Sequence, residues 1–377
     1  SFMSFFDLLS EELKINLNEQ QKKAVQHAEG HALVLAGPDN QVFVVADDDQ
    51  SIYGFRGAEP EYLLNFEKYF SEPKIYMLET NYRSTGNIVE ISSSLIRRNL
   101  GRYDKSHNTD NEYERDPEIA EPEDEKEQLE FLAGRLEEIL ENEKNSSIAV
   151  LYRNNLSSVV IADELERKKI DFRIKDSRQF FFTHWFVLDI AAFMNFAMNL
   201  NDEEAFRRIY HKMNRYISKA MVEFASEAIG GKTLLDRMQN YGEIKYFQKE
   251  KLTELKAEFY NLSRMAPSQA LEYIGHNFGY PDNAREYCER SGYPFGCIQD
   301  LYTILKIIAA ECRTLPGFLQ RLAVLEEILG SHQDKKSRVT LSTVHSSQSA
   351  EFKPNIVIAL CFTTGTTAQP KMKLIMV

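Results

Sequence analysis

The sequence predicts an α/β fold, with parallel-sheet domains and one inserted domain made only of helices. Short apolar runs, typical of strands buried on both faces of a parallel sheet, occur at residues 32–36, 42–45 and 147–152. Helical periodicity alternates with these runs. Between residues 189 and 330 the β-branched runs nearly vanish, and strand patterns return only afterwards. We therefore expect a helical domain inserted into the second of two sheet domains.

The first sheet domain is expected at residues 1–104, in a reduced form. Its predicted strands are 32–36, 42–45 and 74–78, and its predicted helices begin near residue 18 and cover 61–70 and 88–98. Only residues 37–41 separate the first two strands, whereas adjacent parallel strands need a connection of about a dozen residues. The two strands are therefore antiparallel, are not neighbours, or have lost the segment that once joined them.

An acidic connector is expected at residues 105–128, because residues 110–127 carry ten acidic side chains and two prolines. The second sheet domain is expected at 129–188 and 331–377, around the helical domain at 189–330. Its predicted strands are 147–152, 172–174, 339–344, 355–360 and 373–377, with helices at 129–140 and 159–167. The predicted helices of the insertion are 187–200, 202–213, 219–228, 245–263, 269–278, 299–311 and 317–329.

Composition narrows the classes of function. The chain has 377 residues and a formal net charge of −12, which argues against a surface coated with basic groups for nucleic acid but leaves room for a local basic groove. No apolar run is long enough to cross a bilayer, and the acidic, amphipathic N-terminus does not resemble a signal peptide. The four cysteines show no C-x-x-C spacing. We therefore expect free thiols and a cytoplasmic protein without a membrane partner.

Residues 42–58, VFVVADDDQSIYGFRGA, are the stretch richest in chemistry. A buried strand here would end in three acids and a glutamine, followed by aromatic residues and an arginine. Ligands of open α/β sheets bind at such strand ends, although a strand followed by a solvated acidic turn would give the same composition. No carboxylate pair, Ser-His-Asp set or His/Cys cluster stands out elsewhere, and no metal ligands are predicted.

Together with LETNYRST at residues 78–85, this stretch resembles the third and fourth motifs of the UvrD/Rep-type superfamily 1 DNA helicases. LNEQQKKAV at 17–25 is similar to the adenine-reading glutamine motif of that family, and LSTVHSSQSAEF at 341–352 to its fifth motif. The acidic connector, the second sheet domain and the helical insertion also follow the family's order. The resemblance implies RecA-like sheet domains, ATP and Mg²⁺ as cofactors, and single-stranded DNA as the partner.

The resemblance implies nucleotide-site roles at five positions. Gln21 would read the adenine edge, Tyr82 would stack on the base, and Glu351 would contact the ribose. Gln50 would sense the terminal phosphate, and Arg83 would place positive charge where phosphoryl transfer develops negative charge. Taken singly, Tyr82 would equally suit a core aromatic residue and Arg83 an ion pair at a helix end.

The resemblance also implies a DNA contact surface. Tyr53 and Phe55 would lie against single-stranded DNA, because any base can stack on an aromatic face. Arg56 would support that surface, while Thr343 and His345 would contact the DNA backbone. Phe55, like Tyr82, would by itself also suit a core position.

The sequence departs from the family where phosphate and metal would be held. The first predicted strand ends in Ala36-Gly37-Pro38-Asp39-Asn40, without the lysine and the run of glycines of a P-loop, whose amides cradle phosphates. The family's D-E-x-Q-D motif, which supplies the magnesium carboxylate, is missing. One deletion between residues 38 and 41 explains both losses and the short connection between strands. Thr367 stands where the sixth motif has its arginine, and Gln348-Ser349 replaces a lysine and a glycine of the fifth.

These departures predict a UvrD/Rep-like homologue that cannot hydrolyse ATP by itself and that binds DNA or a protein partner. Both ATP and Mg²⁺ are therefore in doubt for this chain. One alternative is an incomplete chain of an active ATP-dependent 3′–5′ DNA helicase. The other is a protein-interaction scaffold that touches no DNA, which the acidic balance favours and Phe55 with Arg56 disfavours. Scattered point changes favour natural decay of the motifs over an engineered deletion.

Overall fold

The computed structural model describes residues 44–50, 60–70, 73–175, 180–213, 215–228, 230, 232–331, 336–348, 354–361 and 373–376. The chain divides into two compact units, Ser1–Pro117 and Glu118–Val377. The domain limits expected from the sequence are not tested by this division and stay predictions. The predictions for residues 1–43, including the strand at 32–36 and the helix near residue 18, lie outside the described residues.

The second unit is built on a six-stranded sheet. Its strands are β1 (Glu118–Ala120), β2 (Ile148–Tyr152), β3 (Phe172–Ile174), β4 (Val339–Thr343), β5 (Ile356–Cys361) and β6 (Lys373–Met376), arranged in the order β1-β6-β5-β2-β4-β3. β3, β4, β2 and β5 are parallel, and β6 is antiparallel to β5 and to β1. The α/β class expected from the sequence is thereby confirmed.

The central strands are buried because they are covered on both faces, as in other parallel sheets. Every residue of β4 is buried, and four of the five residues of β2 are. Val150 of β2 lies opposite Leu341 on one side and Ile358 on the other. Helices α4 (Glu125–Asn142) and α5 (Ser157–Arg167) contribute Leu132, Leu136 and Ile161 to the same core.

All the helices of the insertion follow β3 and precede β4, which are neighbours in the sheet. They are α6 (Phe180–Thr183), α7 (Trp185–Met198), α8 (Glu203–Ile209), α9 (Lys219–Glu227), α10 (Leu234–Met238), α11 (Tyr246–Leu262), α12 (Pro267–Phe278), α13 (Tyr280–Ser291), α14 (Phe295–Ala310) and α15 (Leu315–Ser331). Side-chain caps start several of them, as when Asp202 accepts a hydrogen bond from the Ala205 amide at 3.0 Å.

Aromatic side chains fill the core of the helical insertion. Phe193 of α7 is fully buried, and its ring centroid lies 5.2 Å from that of Tyr280 and 5.3 Å from that of Phe278. Phe259 of α11 lies 4.8 Å from Phe278 and 4.8 Å from Phe196. Four helices thus share one aromatic cluster, and the contacts between these rings pack the four helices against one another.

A buried carboxylate also joins three of these helical segments. Asp189 of α7 is 0% exposed, and its Oδ1 accepts a hydrogen bond from Arg208 Nε at 2.7 Å. Its Oδ2 accepts from Lys212 Nζ at 2.5 Å and from the Tyr280 hydroxyl. A buried charge is tolerated when it is paired and hydrogen-bonded in this way. Burial, with Asp189 next in importance, raises the pKa of Tyr280 well above its usual range.

The first unit contains three described helices, α1 (Glu61–Leu64), α2 (Phe66–Tyr69) and α3 (Gly86–Ile96). The helical structure expected at 61–70 is present as these first two helices, and the interruption at Asn65, whose φ of −107° and ψ of 24° leave the helical region, was not foreseen. Asn65 uses its own side-chain amide to donate to the Glu61 carbonyl at 2.9 Å. This competition with the backbone is typical of asparagine.

Two strands expected in the first unit are wrong for the residues described. Val44 and Val45 form no strand, and Val45 is 70% exposed. Residues 74–78 are not a strand either, with Tyr76 77% and Leu78 83% exposed. A strand forms only beside a neighbour that completes its backbone hydrogen bonds. In the described part of this unit, the backbone ladder is limited to one bridge between Thr80 and Asn108.

Three helices of the second unit were not expected: α6, α10 and α13. α13 buries only Tyr280, Ala284 and Cys288, spaced four residues apart, and most of its other side chains are polar. α10 has five residues, too few for a periodic signal, and begins at Thr233 in a capping box with Asp236. None of the helices described is both long and apolar enough to cross a membrane.

Candidate functional site

The three acids and the glutamine that the sequence singled out form one tight turn in the first unit. Asp48–Gln50 is a single 3-10 turn, and Asp47 precedes it. Asp47 Oδ1 accepts a hydrogen bond from the Asp49 amide at 3.1 Å, and its Oδ2 accepts from Gln50 Nε2 at 2.6 Å. Gln50, expected to sense a phosphate, is exposed and is held by its own turn through Asp47.

Basic residues from positions 102–107 surround the carboxylates of this turn. Lys105 Nζ lies 2.7 Å from an oxygen of Asp47, 2.6 Å from one of Asp48 and 3.1 Å from one of Asp49. We call these three acids with Arg102, Lys105 and His107 the ion cage. Arg102 donates two hydrogen bonds to Asp49, both at 2.8 Å, and His107 Nε2 lies 3.2 Å from the same carboxylate. The Tyr103 amide donates to Asp48 at 2.7 Å.

Contacts within the ion cage shift the pKa values of Asp47, Asp49 and Lys105 toward their charged forms. The hydrogen bonds from Arg102, more than any other contact, hold the pKa of Asp49 far below its usual range. Burial acts to raise the pKa of Asp47, but hydrogen bonds from Lys105 and Gln50 outweigh it and lower the pKa. Burial acts to lower the pKa of Lys105, but the three carboxylates outweigh it and raise the pKa. All three side chains are therefore charged at neutral pH.

The Arg102→Gln variant tests this electrostatic picture. Because the pKa of Asp49 is depressed, its contribution to stability is present in full above the ordinary carboxyl pKa of about 4 and is lost as the pH falls through the depressed value. We expect the variant to lose about 1.5–3 kcal/mol of local stability at pH 7 and progressively less as the pH falls below about 4. Amide hydrogen exchange of peptides covering 44–50 and 102–108, corrected for intrinsic rates, measures this difference.

The control for this experiment is Arg98→Gln, because Arg98 is exposed and lies outside the ion cage. It should leave exchange in both peptides unchanged. A loss of protection in Arg102→Gln that does not shrink at all as the pH falls below about 4 would contradict the role of the Asp49 carboxylate.

Backbone hydrogen bonds hold the segment around Tyr82 and Arg83: the Asn81 amide donates to the Asn108 carbonyl at 2.7 Å, and the Gly86 amide to the Glu112 carbonyl at 3.2 Å. Asn81 Oδ1 accepts hydrogen bonds from the Arg83 amide at 2.8 Å and the Ser84 amide at 2.9 Å. A Cβ at Gly86 would lie 2.4 Å from the Tyr113 ring, so a larger residue there would force that ring to shift. Tyr82 is 80% exposed, and within the described residues the Arg83 guanidinium makes no ion pair. Both side chains are free to meet a ligand.

The predicted DNA-contact residues of the second unit lie at the end of β4. Thr343 is buried, and its hydroxyl donates to Ser346 Oγ at 2.9 Å and accepts from the Ser346 amide at 3.2 Å. That hydroxyl therefore shapes the 3-10 turn Ser346–Gln348. His345 is half-buried in the same turn. Their role in DNA contact stays a prediction.

The other predicted site residues lie outside the described residues. They are Gln21, Tyr53, Phe55, Arg56 and Glu351.

Comparison with known proteins identifies the family. A model of the UvrD-like helicase C-terminal domain matches residues 76–367, well over half of the chain. The chain belongs to the UvrD-like helicase family. A model of the UvrD/REP helicase N-terminal domain matches residues 38–71 only. The resemblance seen in the sequence is thereby confirmed.

Named relatives agree with this family. The chain is 30% identical over 332 residues to a "Probable DNA helicase II homolog" of Rickettsia conorii, covering 85% of this chain and 50% of that protein. It is 25% identical to the ATP-dependent DNA helicase Rep of Buchnera aphidicola (87% and 54%). It is 27% identical to the ATP-dependent DNA helicase PcrA of Bacillus subtilis (82% and 44%). The chain thus spans about half the length of these relatives.

The carboxylates of the ion cage are the candidate ligands for Mg²⁺ in the described part of this chain. By residue type, Asp47, Asp48 and Asp49 suit a divalent cation, since their carboxylate oxygens lie within 4.8 Å of one another. The ammonium of Lys105, however, lies within 3.1 Å of all three carboxylates and takes the ion's place. These residues do not fit Mg²⁺ as they stand, and no catalytic step can be assigned to a metal here.

Sequence reasoning missed Arg102, Lys105 and His107. They were divided between the first domain and the acidic connector, yet the Lys105 side chain is only 10% exposed. The available signal was the spacing RYDKSH, three basic residues just before a strongly acidic stretch. Basic residues in such a place need an acidic partner elsewhere, and the Asp47–Asp49 triplet was the obvious one.

Proposed function

We propose that this chain is a UvrD/Rep-like helicase homologue that binds single-stranded DNA, or a protein partner, without hydrolysing ATP by itself. The observation that carries the proposal is the sequence from Ala36 to Asp47, which has neither the P-loop lysine nor a D-E-x-Q-D motif. The Asp47–Asp49 turn does not replace them, because the Lys105 ammonium already contacts all three of its carboxylates. We place the protein in the cytoplasm, in keeping with free thiols at Cys288, Cys297 and Cys312.

Magnitudes support the loss of hydrolysis. One missing donor to a developing negative charge costs about 10²–10³ in kcat, and an arginine finger supplies about 10³–10⁵. This chain lacks the phosphate-cradling lysine, the magnesium carboxylate and, at Thr367, the arginine of the sixth motif. The exposed Tyr82 can still stack on a base and Arg83 can still contact a phosphate. The groups that would activate that phosphate for hydrolysis are missing. Nucleotide binding without turnover fits this residue set.

The test is ATP turnover in the presence of single-stranded DNA. We expect phosphate release no faster than in a blank without protein. Turnover of about 1 per second or more, typical of enzymes, would contradict the proposal if it disappeared in an Arg83→Met variant purified in parallel. Turnover that persisted in Arg83→Met would come from a contaminant and would leave the expected result standing.

DNA binding is measured on the same samples with a fluorescent oligonucleotide at about 50 and 200 mM salt. We expect binding to weaken as salt rises. The logarithm of the association constant should fall with the logarithm of the salt concentration, with a slope of about −0.7 for each phosphate neutralised on a single strand. Failure to bind at low salt would remove DNA from the proposal. It would then favour the protein-interaction scaffold, for which the exposed side chains of Tyr76 and Leu78 offer an apolar surface.

An active ATP-dependent 3′–5′ helicase is the second candidate. It is favoured by the coverage of the relatives, since the N-terminal family model matches only residues 38–71. In that case the gene would encode a P-loop lysine and a D-E-x-Q-D motif between Pro38 and Gln41. Sequencing the transcript across this junction decides between the two candidates.

A further inference from the structure

The turn at Asp47–Gln50 poses an electrostatic problem that the fold has to solve. Three consecutive carboxylates point their oxygens into a space less than 4.8 Å across. Like charges at this distance repel strongly, and more so where burial reduces screening by water. The Asp48 side chain is 4% exposed and that of Asp49 10% exposed. Such a turn needs a cation in contact with all three acids.

Lys105 supplies that cation with matching geometry. An ammonium group has three protons to donate, and Nζ of Lys105 has one carboxylate oxygen from each acid within 3.1 Å. Arg102 adds a second positive charge through its paired hydrogen bonds to Asp49. Two cationic side chains, Lys105 and Arg102, thus face the three carboxylates. Lys105 therefore stands where a divalent cation would bind the same oxygens.

Lys105 is linked through Asp47 to Gln50, the residue expected to sense phosphate. It fixes Oδ1 of Asp47, while Oδ2 of the same carboxylate accepts the hydrogen bond from Gln50 Nε2 at 2.6 Å. The orientation of Gln50 thus depends on a protein cation bound to Asp47.

We propose that Lys105 is a built-in counter-ion which replaces a divalent cation in the Asp47–Asp49 turn and makes the position of Gln50 independent of metal. The proposal follows from contacts inside the first unit and does not depend on whether the chain hydrolyses ATP. Removing the lysine should uncover a cation site that the natural protein does not offer.

The test uses Mn²⁺ alone as the probe, with the full chain. Titration followed by electron paramagnetic resonance should show one more Mn²⁺ bound per chain in Lys105→Met than in the natural protein. The affinity of the variant for this extra Mn²⁺ should be at least tenfold higher than any affinity of the same turn in the natural protein. The extra site should disappear in the double variant Lys105→Met with Asp48→Asn. Lys126→Met, which changes the net charge equally at a 67% exposed side chain, should gain no site.

The outcomes separate clearly. A natural protein that binds Mn²⁺ in an Asp48-dependent manner overturns the proposal, because the turn would then accept metal despite Lys105. A Lys105→Met variant that gains no Asp48-dependent site also overturns it. If Lys105→Met fails to fold without metal, restoration of its circular dichroism by Mn²⁺ supports the proposal, and failure to restore it counts against the proposal.

Discussion

Replacing Asp189 with alanine is expected to destabilise the helical insertion by about 3–5 kcal/mol, since breaking a buried ion pair leaves its partners unpaired. The Asp189 carboxylate is fully buried and accepts hydrogen bonds from Arg208, Lys212 and Tyr280. Truncation strands the Tyr280 hydroxyl, which is fully buried, and leaves Lys212 only 18% exposed without a counter-charge. The partial exposure of Arg208, at 36%, places the expected loss near the lower end.

Urea denaturation followed by tryptophan fluorescence measures this loss. Trp185 is the one tryptophan of the sequence, and its backbone carbonyl accepts a hydrogen bond from Arg208 at 3.3 Å. The reporter therefore sits beside the carboxylate being removed. The matched control is Glu223→Ala, which breaks an exposed ion pair with Lys219 and should cost no more than about 0.5 kcal/mol. A cost below about 1 kcal/mol for Asp189→Ala would mean that water reaches the network.

The sheet of the second unit could be predicted because its strands are short apolar runs that can be recognised from local sequence. β2 and β4 read as short runs buried on both faces, and the structure buries them on both faces. The long helices of the insertion were found for the same reason, since each repeats apolar residues at helical spacing. α13 was missed because Tyr280, Ala284 and Cys288 are too sparse a stripe among polar neighbours.

The first unit could not be predicted from local patterns, and the reason is physical. Residues 42–45 and 74–78 have strand composition, but composition cannot supply the neighbouring strand that completes a ladder. Among the residues that the structure describes, no strand pairs with these segments, and the side chains of Val45, Tyr76 and Leu78 are exposed. The ion cage was beyond reach for a related reason: Arg102 and Asp49 are 53 positions apart, and only the fold brings them together.

Phe193→Ala is expected to cost about 3–5 kcal/mol, through lost apolar transfer and the cavity left behind. Phe193 is fully buried, with the rings of Tyr280, Phe278 and Phe259 at 5.2, 5.3 and 6.4 Å. These neighbours come from three other helices, so local collapse cannot refill the space. The same urea experiment measures the loss. Tyr246→Ala, at a 77% exposed ring of the same insertion, is the control and should change stability by less than about 0.5 kcal/mol.

The double variant of Phe193→Ala with Asp189→Ala sharpens this prediction. Tyr280 contacts both residues, with its ring against Phe193 and its hydroxyl on Asp189. Once either partner is gone, Tyr280 is already displaced, so the second substitution has less to destroy. We expect the double variant to lose less stability than the sum of the two single losses, by about 0.5–3 kcal/mol, as for residues that share a partner. Strict additivity would show that the aromatic cluster and the buried carboxylate stabilise the insertion independently.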